Sequence, residues 1–511
     1  MADMALSDFV AAVIAVLRRR PSDLLPLYLL GAAIPAIVRV VPLLALGVAY
    51  LQLAATGRLE TIRTQLASIG SPPDPNAEPE AFETWASGLE PLVDQLVTPP
   101  LLALAAISVV VSMLLFAVLS AAVAAGQLSA CYGRLRGTQG LHTGIEGASR
   151  FWLRVLGLFV LELVCWAVVL GTVGIATALF AGGISLAAGS GAVAIPVVLL
   201  GAIVAVLVLL VVRALFAFAP VAIVVDDAGV VASLRNVLGF VRSRPVEAAF
   251  YYVIAIGMLV ALSTITGLLS LVDIVTVGSL LSALVAMPAL DLLKTAIYCG
   301  YRDRLRPPEP PARSLRDGVR AGLRRGWQEL IAFVRAHPGT HLFAAVIGLL
   351  GFWMGWIAAD PFVGTFEASI AARLEGEFPP TMAANLFGNN WLVALATAYA
   401  GAAFSIPAIV SLLFNGVSLG VVARLEVDPL ELAAFVLPHG VLEIPAILIA
   451  GALGISVGVT AWRTWRGRVG RTALAETLER AFWVLVGVGI LLAVAAVIEG
   501  FVSPYYYRLF L

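Results

Sequence analysis

The sequence predicts an all-α fold: a polytopic transmembrane helical bundle of about 11 spans, six before and five after a polar linker, with short amphipathic interfacial helices. Three observations predict it. The composition is 61% hydrophobic and only 13% charged, with a mean hydropathy of +0.99. Soluble domains carry roughly 25% charged residues, so this chain cannot clothe a globular surface in polar groups. Apolar runs of membrane-crossing length recur along the whole chain. Arginines and acidic residues alternate between the connecting segments.

A spanning helix needs about 20 predominantly apolar residues. Such runs lie near 24–50, 99–130, 153–181, 192–219, 249–271 and 276–299, then near 340–359, 388–426, 432–460 and 481–502. The polar stretch between the two sets, 301–337, holds nine arginines and the run Pro307-Pro308-Glu309-Pro310-Pro311. It divides the chain into a six-span domain (1–300), a cytoplasmic Arg/Pro-rich linker with an amphipathic helix (301–337) and a five-span domain (338–511).

Charge orients these spans. Arginines cluster at 18–20, 134–154, 235–244, 302–335 and 463–480; acidic residues cluster at 60–94 and 360–377. The positive-inside rule places the arginine-rich segments in the cytoplasm of a cell membrane and the acidic loops outside. The amino terminus is then cytoplasmic, and no cleavable signal peptide is expected there. The run 388–426 tests the count. A single crossing would export the arginines at 463–480, whereas two short crossings divided at Ser405-Ile406-Pro407 satisfy every segment, because proline removes a donor and ends the helix. Eleven passes leave the carboxyl terminus outside; a re-entrant segment with ten passes is the alternative.

Three segments share one form: an amphipathic helix, a basic pair around a small residue, a proline, then a span. They are Arg18-Arg19-Arg20-Pro21, Arg242-Ser243-Arg244-Pro245 and Arg335-Ala336-His337-Pro338. Each reads as an interfacial helix whose proline turns the chain into the bilayer. A topogenic anchor and a lipid-headgroup site both fit that form. Membrane lipids and other membrane proteins are the expected partners. The formal net charge of +0 provides no field for nucleic acid.

Ionisable groups within spans face the bundle interior or water-filled cavities. In the first half Arg39 and Glu162 form a possible buried pair, Arg213 can snorkel, and Asp291 with Lys294, the only lysine, reads as a surface pair. In the second half Asn389, Asn390, Asn415, Gly416, His439, Gly440 and Glu443 fall in or beside apolar runs. His439 and Glu443, spaced i, i+4, share a helix face. The prolines at 438 and 445 and the pair Asn415-Gly416 suggest broken backbone. Such a polar cluster can lock helices together, hold a proton or ligand, or bind metal, but two ligands are too few for a zinc site. No metal or cofactor is therefore expected. Cys131, Cys165 and Cys299 show no ligand spacing. No Gly-rich phosphate loop, His-Glu-x-x-His or nucleophile elbow occurs, so no catalytic residue is assigned and no enzyme is expected.

The run Asn390, Gly401, Asn415-Gly416 with Gly420, Pro438-His439-Gly440, Glu443, Pro445, Gly451 and Gly454 resembles the stage II sporulation protein M family over about 340–502. The resemblance implies five passes and a non-enzymatic scaffold that organises partner proteins in the cell membrane. In sporulating bacteria those partners degrade peptidoglycan. The polar cluster alone admits a different function: a transporter or lipid-handling protein with its site around Asn415, His439 and Glu443. Residues 1–305 more weakly resemble membrane regions found beside glycerophosphoryl diester phosphodiesterases, through Arg213, Phe216, Ala219-Pro220, Asp226-Asp227, Gly229 and Ser233-Leu234-Arg235. The catalytic domain of those enzymes is not in this chain, so the resemblance implies no such activity.

Overall fold

The computed structural model describes residues 5–69, 79–272, 274, 276–306, 309, 313–364, 378–426 and 429–506. Parts of both acidic loops (Asp74, Glu78, Glu367, Glu375, Glu377) and the four prolines of the linker lie outside the described residues. Within them the chain is helical and holds no strand. Among the described residues ten helices are long and apolar enough to cross a membrane.

Helix α1 (Leu6–Arg19) is amphipathic and buries Phe9, Ala12, Val13, Ala15 and Val16. The first membrane-crossing run, Leu25–Ala55, is built of α2 (Leu25–Ala32), α3 (Ile34–Val38) and α4 (Val40–Ala55), interrupted at Ala33 and Arg39. The acidic region expected as a loop carries two helices, α5 (Arg58–Ile69) and α6 (Pro79–Leu96), which pack together. Apolar Phe82, Trp85, Leu89 and Leu92 at helical spacing in α6 outweigh its acidic residues.

Helices α7 (Pro99–Leu135), α8 (Gly140–Ala188) and α9 (Ile195–Asp226) follow. At 1.5 Å per residue, the 49 residues of α8 extend about 74 Å, well beyond a hydrocarbon core of about 30 Å. Next come α10 (Val230–Ser243), α11 (Pro245–Ser270), α12 (Val277–Leu281) and α13 (Met287–Tyr301); a π-helical turn at 282–286 joins the last two. The remaining helices are α14 (Leu315–Ala336), α15 (Pro338–Ala359), α16 (Pro379–Ala400), α17 (Ile406–Leu425), α18 (Pro429–Trp465), α19 (Arg471–Phe501) and the short α20 (Ser503–Tyr506). Each repeated basic-proline segment closes an amphipathic helix, α1, α10 or α14. Pro245 and Pro338 each begin the following apolar helix; Pro21 begins a 3-10 turn.

The run 388–426 is divided where Ser405-Ile406-Pro407 suggested. Phe404 and Ser405 adopt left-handed φ of 59° and 69°, and α17 starts at Ile406. Helix α16, with 22 residues, is about 33 Å long and could make the additional crossing. It stands outside the ten because Asn385, Asn389 and Asn390 dilute its apolar character. The expected break in α18 is absent. That helix runs unbroken through Pro438 and Pro445, and α17 runs unbroken through Asn415-Gly416. Prolines are tolerated in membrane helices where neighbouring groups take up the freed carbonyls.

Contacts divide the chain into two units. Unit 1 comprises Met1–Gly31, Val118–Leu262 and Ser282–Leu315; unit 2 comprises Ala32–Ala117, Ser263–Leu281 and Arg316–Leu511. In unit 1, α8 packs along α9, and α1 lies on α13, where Phe9 fills the space a side chain at Gly300 would need.

In unit 2 the closest pair is α15 with α17. Gly351 and Gly355 of α15 meet the backbone of α17 at Leu413 and Val417; Gly416 and Gly420 of α17 meet the backbone of α15 at Gly348 and Phe352. A Cβ at any of these four glycines would collide with main-chain atoms. Spacing of i, i+4 on both helices lets the backbones touch, the arrangement that substitutes for hydrophobic driving force in lipid.

Candidate functional site

Four helices of unit 2 supply a closed polar centre. His439 lies on α18 and is 6% exposed. Its Nδ1 is 3.0 Å from Ser503 Oγ at the start of α20. Its Nε2 faces two carboxylates, Glu443 Oε2 at 4.0 Å one turn along α18 and Glu499 Oε1 at 3.8 Å on α19. Asn390 of α16 donates from Nδ2 to Glu443 Oε1 at 2.8 Å, and Asn389 donates to Asn390 Oδ1 at 3.2 Å. The second oxygen of Glu499 is buried and receives no hydrogen bond among the described residues. The Phe435 ring stands edge-on to the imidazole, 5.5 Å between centroids.

Of the residues singled out in sequence, the structure thus brings together Asn390, His439 and Glu443. Asn415 is elsewhere: its amide donates to Ser411 O at 2.8 Å within α17, and Ser411 Oγ lies 2.7 Å from Thr397 Oγ1 on α16. Gly416 serves the contact with α15, and Gly440 packs near Val436 and Ile444. Two members of the centre were missed. Glu499 is the only ionisable residue in 481–502, and Ser503 follows it at i+4. Applying the rule on ionisable residues to that span finds Glu499 directly.

Unit 1 treats its acidic groups differently. Asp23 accepts from the first backbone amides of α8, Gly140 N and Leu141 N, each at 2.9 Å, and pairs with Arg134 at 3.2 Å. Asp226 accepts from Arg302 at 2.5 Å, Tyr298 OH at 2.6 Å and Asn236 at 2.9 Å. Asp227 binds Arg150 at 2.5 Å and Arg154 at 2.6 Å. The Arg154 hydrogen bond, helped by Arg150, holds the Asp227 carboxyl below its ordinary range. Arg304 donates to the Val225 carbonyl.

Two expectations for this half are corrected. Glu162 pairs with Arg213 at 3.1 Å, not with Arg39, which is exposed between α3 and α4. Arg213 lies across the α8–α9 hairpin, whose antiparallel register sets the pair. Asp291 and Lys294 do pair, at 2.7 Å, but in the interior: Tyr28 OH donates to Asp291 Oδ2 at 2.9 Å and lies 3.4 Å from Cys131 Sγ. An open cavity of about 550 Å³ between α8 and α9, lined by residues such as Thr172, Phe180, Leu200 and Val204, holds no ionisable side chain.

Comparison with known proteins gives two separate family-model matches. No curated protein and no solved structure matches it. Residues 137–299 match the model of a domain of unknown function (DUF7847). Nothing found for that half supports the likeness to regions beside glycerophosphoryl diester phosphodiesterases. Residues 344–504, which contain the whole of the polar centre, match the family model of stage II sporulation protein M.

Proposed function

We propose that this integral membrane protein is a non-enzymatic scaffold of the cell membrane, with its amino terminus in the cytoplasm, its carboxyl terminus outside and other membrane proteins as partners. One observation carries the reading. The segment similar to stage II sporulation protein M is braced by main-chain contact between α15 and α17, and its polar side chains are turned onto one another rather than onto a gap between broken helices. Transporters place midplane sites at discontinuous helices; α17 and α18 are continuous. The distribution of arginines supports the orientation.

The test is site-specific photo-crosslinking in native membranes from two α15 positions, lipid-facing Leu349 and interior Ala344, 68% and 0% exposed. Discrete crosslinked species from position 349 and none from 344 are expected. Substrate uptake by proteoliposomes that is lost in His439→Gln would overturn the scaffold in favour of transport. Reporter fusions at the carboxyl terminus check orientation: periplasmic-type alkaline phosphatase active, green fluorescent protein dark.

A further inference from the structure

We propose that His439, Glu443 and Glu499 form an intramembrane binding site for one divalent transition-metal cation of the zinc class, which fastens α18 to α19. The three side chains each offer one ligand atom, and these atoms lie within 4.8 Å of one another. Ligands about 2.1 Å from a tetrahedral ion stand about 3.4 Å apart. The observed 3.8 and 4.0 Å from His439 Nε2 to the two carboxylates approach that spacing and are too long for hydrogen bonds.

The groups around the three ligands are arranged as a metal site requires. A ligating histidine is oriented by a hydrogen bond from its other ring nitrogen, and a ligating carboxylate by a donor of its own. Ser503 Oγ takes the first role at His439 Nδ1, and Asn390 Nδ2 takes the second at Glu443. Where Nδ1–H donates to Ser503 Oγ, Nε2 is left as the ring's ligand atom, and it faces the two carboxylate oxygens that a cation would share with it. The His439 side chain is 7% exposed, and Glu499 Oε2 is buried and without a donor among the described residues.

Charge balance points the same way. Among the described residues no lysine or arginine pairs with Glu443 or Glu499. Two carboxylates and one divalent ion sum to zero, which answers the cost of burying charge in a bundle. Imidazole with carboxylate suits zinc and its neighbours, and three protein ligands leave a fourth position open. The two-ligand objection from sequence falls because Glu499 arrives from a helix 56 residues beyond Glu443 in the chain.

The experiment uses the full chain purified in detergent with a tag free of histidine, stripped with phenanthroline and equilibrated with Zn²⁺ or Co²⁺. Elemental analysis should find about one zinc per chain, and cobalt should give visible ligand-field bands. Zinc should raise the unfolding midpoint and phenanthroline should lower it. Glu499→Gln should lose the bound zinc, and Asn390→Ala should keep it with affinity weakened roughly 10–100-fold. His341→Gln, at a histidine on α15, should bind as the wild type does. Glu499→Gln should also stabilise the stripped protein while destabilising the zinc-equilibrated one relative to wild type. Failure of the wild type to hold zinc or to show cobalt bands overturns the proposal whether or not the variants fold. So does equal zinc retention by wild type and Glu499→Gln. Neither result bears on the scaffold reading, which is tested by crosslinking.

Discussion

The two units hold their buried carboxylates in opposite ways. Asp23 and Asp226 in unit 1 each sit against an arginine and further hydrogen-bond donors. Glu443 and Glu499 in unit 2 face a histidine and each other's neighbourhood, with a single amide between them as donor. Unit 2 does contain arginine pairs, but they are at least partly exposed: Arg424 with Asp360, Arg325 with Glu479 and Arg480 with Glu329. Arginine is therefore available in this half and is not used in its interior. A carboxylate balanced by arginine is structural in the ordinary sense. A pair of carboxylates facing an imidazole and no arginine is a place for something the chain does not itself supply.

That comparison breaks most visibly at Asp23. Asp23→Ala leaves Arg134 buried without its partner and removes the acceptor for the first two amides of α8. Losing one member of a buried ion pair costs roughly 3–5 kcal/mol, and loss of a helix cap adds about 1 kcal/mol. A large drop in the thermal midpoint is expected, with Asp23→Asn recovering part of it through the retained acceptor. If Asp23→Ala unfolds no earlier than Glu499→Gln in stripped protein, the two units do not differ in the way described.

A smaller effect is expected at Asp226. Asp226→Asn keeps an acceptor for Tyr298 and Asn236 and loses the charge opposite Arg302. A hydrogen bond to a charged group is worth about 1.5–3 kcal/mol, so a loss near 2 kcal/mol is expected. Arg302→Gln should cost no more when added to Asp226→Asn than a double-mutant cycle assigns to surface neighbours. Independent effects of the two changes would show that the 2.5 Å contact contributes little.

Much of the frame was legible in the sequence, for physical reasons specific to each element. The apolar runs locate the crossing helices because lipid demands an apolar exterior. Ser405-Ile406-Pro407 marked the turn between α16 and α17 because proline ends one hydrogen-bond ladder and begins another. The same logic failed at Pro438 and Pro445, which the surrounding bundle accommodates within one continuous α18. The pairings were the hidden part. Glu162 meets Arg213, 51 residues away, rather than Arg39. Glu499 reaches His439 from 60 residues further on. Those partners depend on the register of helix against helix, which local spacing does not encode. His439 with Glu443, a single helical turn apart, was visible because both lie on one helix.

The smallest expected effect lies at an exposed arginine of unit 2 and calibrates the other two. α14 packs on α19 at Gly326 and Gly487, where neither helix has room for a Cβ, and buries Leu330 and Phe333. Beside this contact Arg325 sits 4.5 Å over the Trp483 ring and 3.5 Å from Glu479. Its side chain is 49% exposed, so solvent and salt screen the ion pair. An exposed pair contributes about 0–1 kcal/mol, and an exposed cation over a ring about 0.5–1 kcal/mol. Arg325→Ala should therefore cost about 1 kcal/mol, within a range of about 0.5–2 kcal/mol, read as a small shift in the unfolding midpoint, and Arg325→Lys should cost less still. Raising the salt concentration should shrink the difference between wild type and Arg325→Ala, while leaving the Asp23→Ala deficit largely in place. A deficit at Arg325 as large and as salt-insensitive as that at Asp23 would mean that exposure does not separate the arginine pairs of the two units, and the arginine-free carboxylates of unit 2 would lose their distinction with it.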